Sequence, residues 1–282
     1  MSIIERAVRR LKSAEVEPSP RAVEILKEPP PAPPIPSASE ARPDEERPDP
    51  GPVPPLRSRP TIERPSDTID LARLERAGMI VPGGKRTQIS EEFRVIKRPL
   101  LQNAKRRDPA AARSSNLILV TSAFPNEGKT FSSINLAISM SLELDHSVLL
   151  VDADVAQHRR DDFLGLRPRP GLMDLLLDPG LSLDETVIRT NVERLDVLLS
   201  GRSHHQANEL LASEAMSRLL EQMAASGPDR IVIFDAPPLL VTTEAGILAH
   251  RAGQVLMVVE ADKTTQMALK SALAQLEGCT VF

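Results

Sequence analysis

Residues 117–130 read LILVTSAFPNEGKT, a short apolar run that passes directly into a turn closed by Gly128-Lys129-Thr130. Ala123 to Thr130 fits the phosphate-loop pattern G-x-x-x-x-G-K-[ST] with Ala in the first Gly position, and it lies between a predicted strand and the helical pattern FSSINLAISMSLEL. Ala is tolerated there as long as its φ stays negative. Successive backbone N–H groups over Asn126, Glu127, Gly128, Lys129, Thr130 and Phe131 would wrap a β-phosphate at the positive end of the helix that starts near Gly128. Lys129 would reach the β and γ oxygens, and the Thr130 hydroxyl would ligate Mg²⁺. Strand, loop length and following helix agree, so a chance turn is the weaker account. ATP with Mg²⁺ is the expected ligand pair.

Further apolar runs follow at Val148–Val151, Leu195–Leu199, Ile231–Phe234 and Val255–Val259, with helical patterns between them. Continuous rather than alternating hydrophobicity marks strands covered on both faces, so the sequence predicts an α/β, doubly wound, mostly parallel sheet. Two of these runs end in carboxylates. VLLVDADV carries Asp152 and Asp154, which a period of two projects to one side of the sheet edge, and RIVIFD ends in Asp235. A carboxylate buried at such an edge needs a partner, and a hydrated Mg²⁺ accounts for the set better than capping of loop amides.

Composition bounds what surrounds this core. Most of the chain's 26 prolines lie between Pro18 and Pro65, where each one removes a donor and restricts its predecessor. Residues 15–66 therefore read as a disordered, locally extended linker, preceded over residues 1–14 by a short amphipathic helix with Ile3, Ile4, Ala7, Val8 and Leu11 on one face. That helix could dock on its own domain or bind a partner or membrane. Residues 67–282 form the folded domain. A second helical pattern, QISEEFRVIKRPLLQNAKRR, repeats Phe93, Ile96 and Leu100, with Ser90 as expected N-cap, charge exposed from Phe93 to Lys97, and Pro99 expected to kink or divide it. A net charge of −4 argues against a general nucleic-acid coat, and the basic cluster Lys105-Arg106-Arg107 with Arg113 reads as a solvated helix end. One cysteine, Cys279, excludes a disulfide framework. No apolar run approaches a membrane span, which predicts a cytoplasmic protein whose membrane contact goes through a partner or a surface helix. His204 and His205 read as exposed loop residues, and Met216, Leu219, Leu220 and Met223 as core.

The motifs SEEFRVIKRPLL, AFPNEGKT, VLLVDADV, PGLMDLLL, ANELLAS and IVIFDAPPLL together resemble the bacterial tyrosine kinases of exopolysaccharide loci, P-loop autokinases related to the ParA/MinD ATPases. The likeness runs over about residues 88–279 and is greatest to the exosortase-associated autokinases. It implies that Lys129 and Thr130 serve phosphates and metal, that Asp152 and Asp235 hold Mg²⁺, and that Asp154 orients or deprotonates an attacking tyrosine hydroxyl. Glu91, Arg94 and Lys97 match the family's Glu-x-x-Arg-x-x-Arg helix, which implies a homo-oligomer contact, with Lys replacing the last Arg. The implied partner is a membrane polysaccharide chain-length or co-polymerase protein; no nucleic acid is implied.

Three departures qualify the likeness. The family carries a tyrosine cluster and this sequence contains no Tyr, so transfer would need tyrosines on another molecule. The ending Cys279-Thr-Val-Phe282 reads as the first residues of a further strand, an apparently truncated C-terminus with an open sheet edge. After Asp154 the family often has Arg and Pro, where this chain has Val155-Ala156-Gln157-His158-Arg159. Two rival readings follow. One is a ParA/MinD-like positioning ATPase, disfavoured because Ala123-Phe124-Pro125 lacks that group's second lysine; the other is an ATP-binding scaffold without kinase output.

Overall fold

The computed structural model describes residues 64–105, 113–155, 164–227 and 229–282, all within the unit Ser58–Phe282. The expected N-terminal helix, the linker up to residue 63, Arg106, Arg107 and residues 156–159 lie outside the described residues. In chain order the elements are α1 (Leu71–Arg76), α2 (Gln88–Lys105), β1 (Leu117–Ser122), α3 (Lys129–Ser141), β2 (Ser147–Asp152), α4 (Leu172–Leu177), α5 (Leu183–Thr186), β3 (Ile188–Arg189), β4 (Leu195–Leu198), α6 (Ala207–Ala212), α7 (Glu214–Ala225), β5 (Arg230–Asp235), α8 (Glu244–Ala249), β6 (Gln254–Val258) and α9 (Gln266–Ala274).

The strands form one six-stranded sheet in the order β3-β4-β2-β5-β1-β6. Every pairing is parallel except β3 with β4. Alternation along each strand sends side chains to two separate cores. Leu117, Leu119, Leu149, Val151, Val232 and Phe234 face one, which α4 and α6 to α8 cover through residues such as Leu172, Leu211, Met216, Met223 and Leu248. Ile118, Val120, Val148, Leu150, Ile231 and Ile233 face the other, covered by Leu74 of α1, Phe93 and Leu100 of α2, and Leu136 and Ile138 of α3. Burial on both faces explains the unbroken apolar runs and confirms the doubly wound α/β reading. Met216, Leu219, Leu220 and Met223 are buried as expected.

Three local expectations need correction. Helix α2 begins at Gln88, so Ser90 stands inside its first turn rather than before it. Thr87 Oγ1 accepts from the Ser90 N–H (3.2 Å) and Ser90 Oγ accepts from the Thr87 N–H (3.0 Å), a reciprocal cap with serine in the place usually held by Glu. Pro99 does not divide α2, which runs through it. Pro99 lies on the exposed side of the helix, where water can serve the carbonyl it leaves without a donor. Helix α3 stops at Ser141, short of the predicted pattern, and leaves Leu142 and Leu144 exposed.

The two sheet edges are each partly covered by chain from elsewhere. At β3, Arg189 accepts from the Asp67 N–H (3.0 Å) and donates to the Pro65 carbonyl (2.8 Å). At β6, Val281 bridges Val255 in parallel, and the Phe282 N–H donates to the Val255 carbonyl at 2.8 Å. Residues 280–282 thus run alongside β6, and this edge is not wholly open.

Candidate functional site

The carboxyl ends of β1, β2 and β5 converge because these strands are neighbours. Asp152 and Asp235 are register partners across β2 and β5, and the Ala153 N–H donates to the Asp235 carbonyl at 2.9 Å. On the other side, the Ala236 N–H donates to Val120 (3.0 Å) and the Leu239 N–H to Ser122 (2.8 Å), which fixes the segment after β5 beside the end of β1. Sequence-distant carboxylates and the phosphate loop therefore share one rim, where open α/β sheets bind ligands.

The turn itself has the backbone its motif requires. Asn126 (φ 66°) and Gly128 (φ 92°) are left-handed, whereas Ala123 is not among the positive-φ residues, as its tolerance in the first motif position demands. Such alternation turns successive N–H groups inward as an anion nest. Gly128 caps α3 without a side chain, and a Cβ built on it would meet nothing within 4 Å. That open cradle, ahead of four N–H groups with no partner inside the helix, suits a phosphate. Asn126 is exposed, Thr130 is half-buried, and the half-buried Phe131 side chain packs against the core that α3 covers.

Lys129 and Asp154 are both buried, and Nζ lies 3.5 Å from Asp154 Oδ2. Asp152 Oδ1 accepts from the Asp154 N–H at 3.2 Å, which ties the Asp152 carboxylate to the main chain of Asp154. Asp235 is 4% exposed. Asp152 and Asp235 end paired strands at the rim where Asp154 meets the Lys129 ammonium; carboxylate oxygens are the donors a hard cation such as Mg²⁺ takes, although these three do not close into one metal-binding cluster. Thr130 stands in the first turn of α3, directly after Lys129.

The Glu127 side chain has a part of its own beside the backbone role expected of it. It is 8% exposed, its Oε2 accepts from the Phe124 N–H at 2.6 Å, and its Oε1 accepts from the Thr264 hydroxyl. The structure thereby adds Thr264 to the neighbourhood of the turn. No motif marks this residue; only the strand order, with β6 beside β1, brings it into view.

The oligomer trio is divided. Glu91 and Arg94 pair at 3.0 Å on the exposed side of α2. Lys97, expected on that charged face, instead turns inward: its side chain is 8% exposed, and Nζ donates to the Ser139 carbonyl (2.6 Å) and meets Glu143 Oε1 (2.6 Å). Phe93, Lys97, Leu100 and Ala104 form the buried stripe of α2, which is why Lys97 is enclosed. His204 and His205 lie with ring centroids 4.4 Å apart, and no group of three or more metal-binding side chains of the His, Cys, Asp and Glu type occurs among the described residues.

The AAA domain family matches residues 121–279. The tyrosine-protein kinase YwqD of Bacillus subtilis is 31% identical over 190 residues, covering 67% of this chain and 76% of that protein. The succinoglycan biosynthesis transport protein ExoP of Rhizobium meliloti is 31% identical over 216 residues, 75% of this chain and 26% of ExoP. The chain spans 22% of the length of several other relatives named tyrosine-protein kinases. In fold it is similar to the kinase domain of the Escherichia coli tyrosine kinase ETK, with a TM-score of 0.60 at 21% identity over 78% of this chain and 87% of that one.

Proposed function

From the premise that this chain belongs to the AAA-domain family of bacterial tyrosine-protein kinases, we propose that it transfers the γ-phosphoryl group of ATP to a tyrosine on another polypeptide. The observation that carries the reading is the pairing of a left-handed phosphate turn with Lys129 and Asp154 at 3.5 Å, on the rim that also holds Asp152 and Asp235. Lys129 would bind the phosphates, and the N–H groups of residues 126–131 would fix their position. Mg²⁺, when bound through Thr130, Asp152 and Asp235, would neutralise phosphate charge. Asp154 would orient the tyrosine hydroxyl and accept its proton, a role that its link to Lys129 supports by keeping the two groups within reach. Catalysis of this kind is chiefly positioning and charge neutralisation.

Residues 1–282 contain no tyrosine, so the acceptor in this reading lies outside them. The wider proposal follows the family. The chain works in exopolysaccharide synthesis or export at the cytoplasmic face of the membrane, stimulated by a membrane polysaccharide co-polymerase. No helix among the described residues is long and apolar enough to cross a membrane. Glu91 and Arg94 are the exposed pair through which copies would meet.

The test is transfer of labelled γ-phosphate, with Mg²⁺, to a separate tyrosine-rich peptide. The parent chain should phosphorylate the peptide, and Lys129→Met and Asp154→Asn should each reduce transfer by about 100-fold or more. ATP binding without any transfer would replace the kinase reading with the scaffold one.

A further inference from the structure

We propose that Glu127 is a positioning residue that braces the phosphate turn against the loop following β6, so that nucleotide affinity depends on Thr264, a residue outside the turn. The inference rests on the reading of residues 123–130 as a nucleotide site and extends it to a second segment.

Topology creates the contact. β1 and β6 are parallel neighbours with Ser122 opposite Val258, so the two strands end at the same level and their loops leave side by side. Residues 123–128 lead into α3, and residues 259–265 lead into α9. The second loop is itself a built turn. Its Asp262 is left-handed (φ 64°), the Thr264 N–H donates to the Glu260 carbonyl (3.1 Å), and Lys263 pairs with Glu260 at 2.5 Å. Thr265 then caps α9 by accepting from the Ala268 N–H at 3.2 Å. Thr264 is thus held in place by its neighbours, with its hydroxyl on Glu127.

The chemistry of the carboxylate completes the argument. Each oxygen of Glu127 has its own donor, Phe124 N–H on Oε2 and Thr264 hydroxyl on Oε1. An amide offers only one acceptor oxygen and could not serve both donors in this way. One donor is the main chain of the turn and the other is the neighbouring loop, so the side chain ties the two together. The tie fixes a turn that passes through the left-handed region at Asn126, a conformation Asn adopts more readily than other non-glycine residues but does not hold by itself. With both carboxylate oxygens so engaged, Glu127 serves the phosphates through the shape of the turn.

The experiment measures Mg·ADP affinity by calorimetry on the full chain, with Thr264→Val, Thr264→Ser, Glu127→Gln and the Glu127→Gln/Thr264→Val pair. It also follows hydrogen exchange of residues 121–130 without nucleotide. Thr264→Val should weaken ADP about 5-fold, the effect of one lost hydrogen bond, and speed exchange in the turn. Thr264→Ser, which keeps the hydroxyl, should stay within about 2-fold of the parent. The double variant should bind no more than about 2-fold weaker than Glu127→Gln alone, the signature of a shared contact. Parent-like binding and exchange in Thr264→Val, equal losses in the Ser and Val variants, or additive losses in the pair would each overturn the brace. A parent that binds ADP but phosphorylates no peptide would defeat the kinase reading alone, and a parent that binds no ADP would defeat the nucleotide site and the brace with it.

Discussion

Lys97 owes its role to the end of a neighbouring helix. Ser139 lies in the last turn of α3, where carbonyls lack partners inside the helix, and the Lys97 ammonium supplies one while also meeting Glu143. The hydrogen bond from Lys97 holds the Glu143 carboxyl below its ordinary value; burial opposes this, and the nearby charges of Lys97, His146 and Arg94 assist. Lys97→Ala should therefore lower stability by about 1–3 kcal/mol, read as a reduced urea midpoint with an unchanged slope. An Arg94→Ala change, which removes only an exposed pair, should stay within about 0.5 kcal/mol. The sequence held the signal for Lys97, since it stands four residues after Phe93 on the same helical face. Charge alone suggested an exposed position, and a long stem that can carry its ammonium to a buried carbonyl is not visible from residue type. By contrast, the placement of Lys129, Asp152, Asp154 and Asp235 was legible, because each ends or follows a strand at a position set by strand period and sheet polarity.

Helix α4 is tied to the end of β4 by one side chain. Asp174 Oδ2 accepts from the Gly171 N–H (2.9 Å) and the Arg202 N–H (3.1 Å), while Oδ1 accepts from Arg202 Nε at 2.5 Å. Burial pushes the Asp174 carboxyl up, but the bonds from Gly171 and Arg202 outweigh it, so the folded value lies below the ordinary 3.8. With the folded value depressed, the tie contributes in full above 3.8 and is lost as pH falls through the lower folded value. Acid melting curves should show this loss in the parent and not in Asp174→Asn, whose neutral amide has no such titration. Gly171 is constrained by space. A Cβ there would come within 2.1 Å of the Leu199 carbonyl oxygen and 2.6 Å of the Gly201 nitrogen, so Gly171→Ala should cost about 1–3 kcal/mol or more, measurable in the same denaturation assay. The motif PGLMDLLL was visible as a unit, but its reason was not, because the crowding comes from residues 199–201 across a strand end. For a similar reason β3 escaped the sequence reading: two residues are too few for a period of two to register.

At the scale of the molecule, hydrophobic continuity was enough to read the layer order, since strands buried on both faces leave no polar alternation. Pairing order was less accessible, because nothing in the run at Val255 says that it lies beside β1 rather than beside β5. Nucleotide should report on the assembled rim as a whole. Mg·ADP at 100 times its dissociation constant should raise the parent's stability by about 2.7 kcal/mol, seen as a higher melting temperature, and Lys129→Met should abolish most of that rise. The strand order also governs when the rim can exist during synthesis. β1 carries the phosphate turn, yet both of its hydrogen-bonded neighbours, β5 and β6, come later in the chain, with Leu117 opposite Val232 and Ile118 opposite Gln254. A nascent chain that has emerged from the ribosome only as far as β4 already carries the GKT motif, but it lacks Asp235 and the strand that holds β1 in the sheet. Such a chain has the signature without the site, so nucleotide can select only chains whose translation has passed β5 and cannot guide the folding of the earlier half.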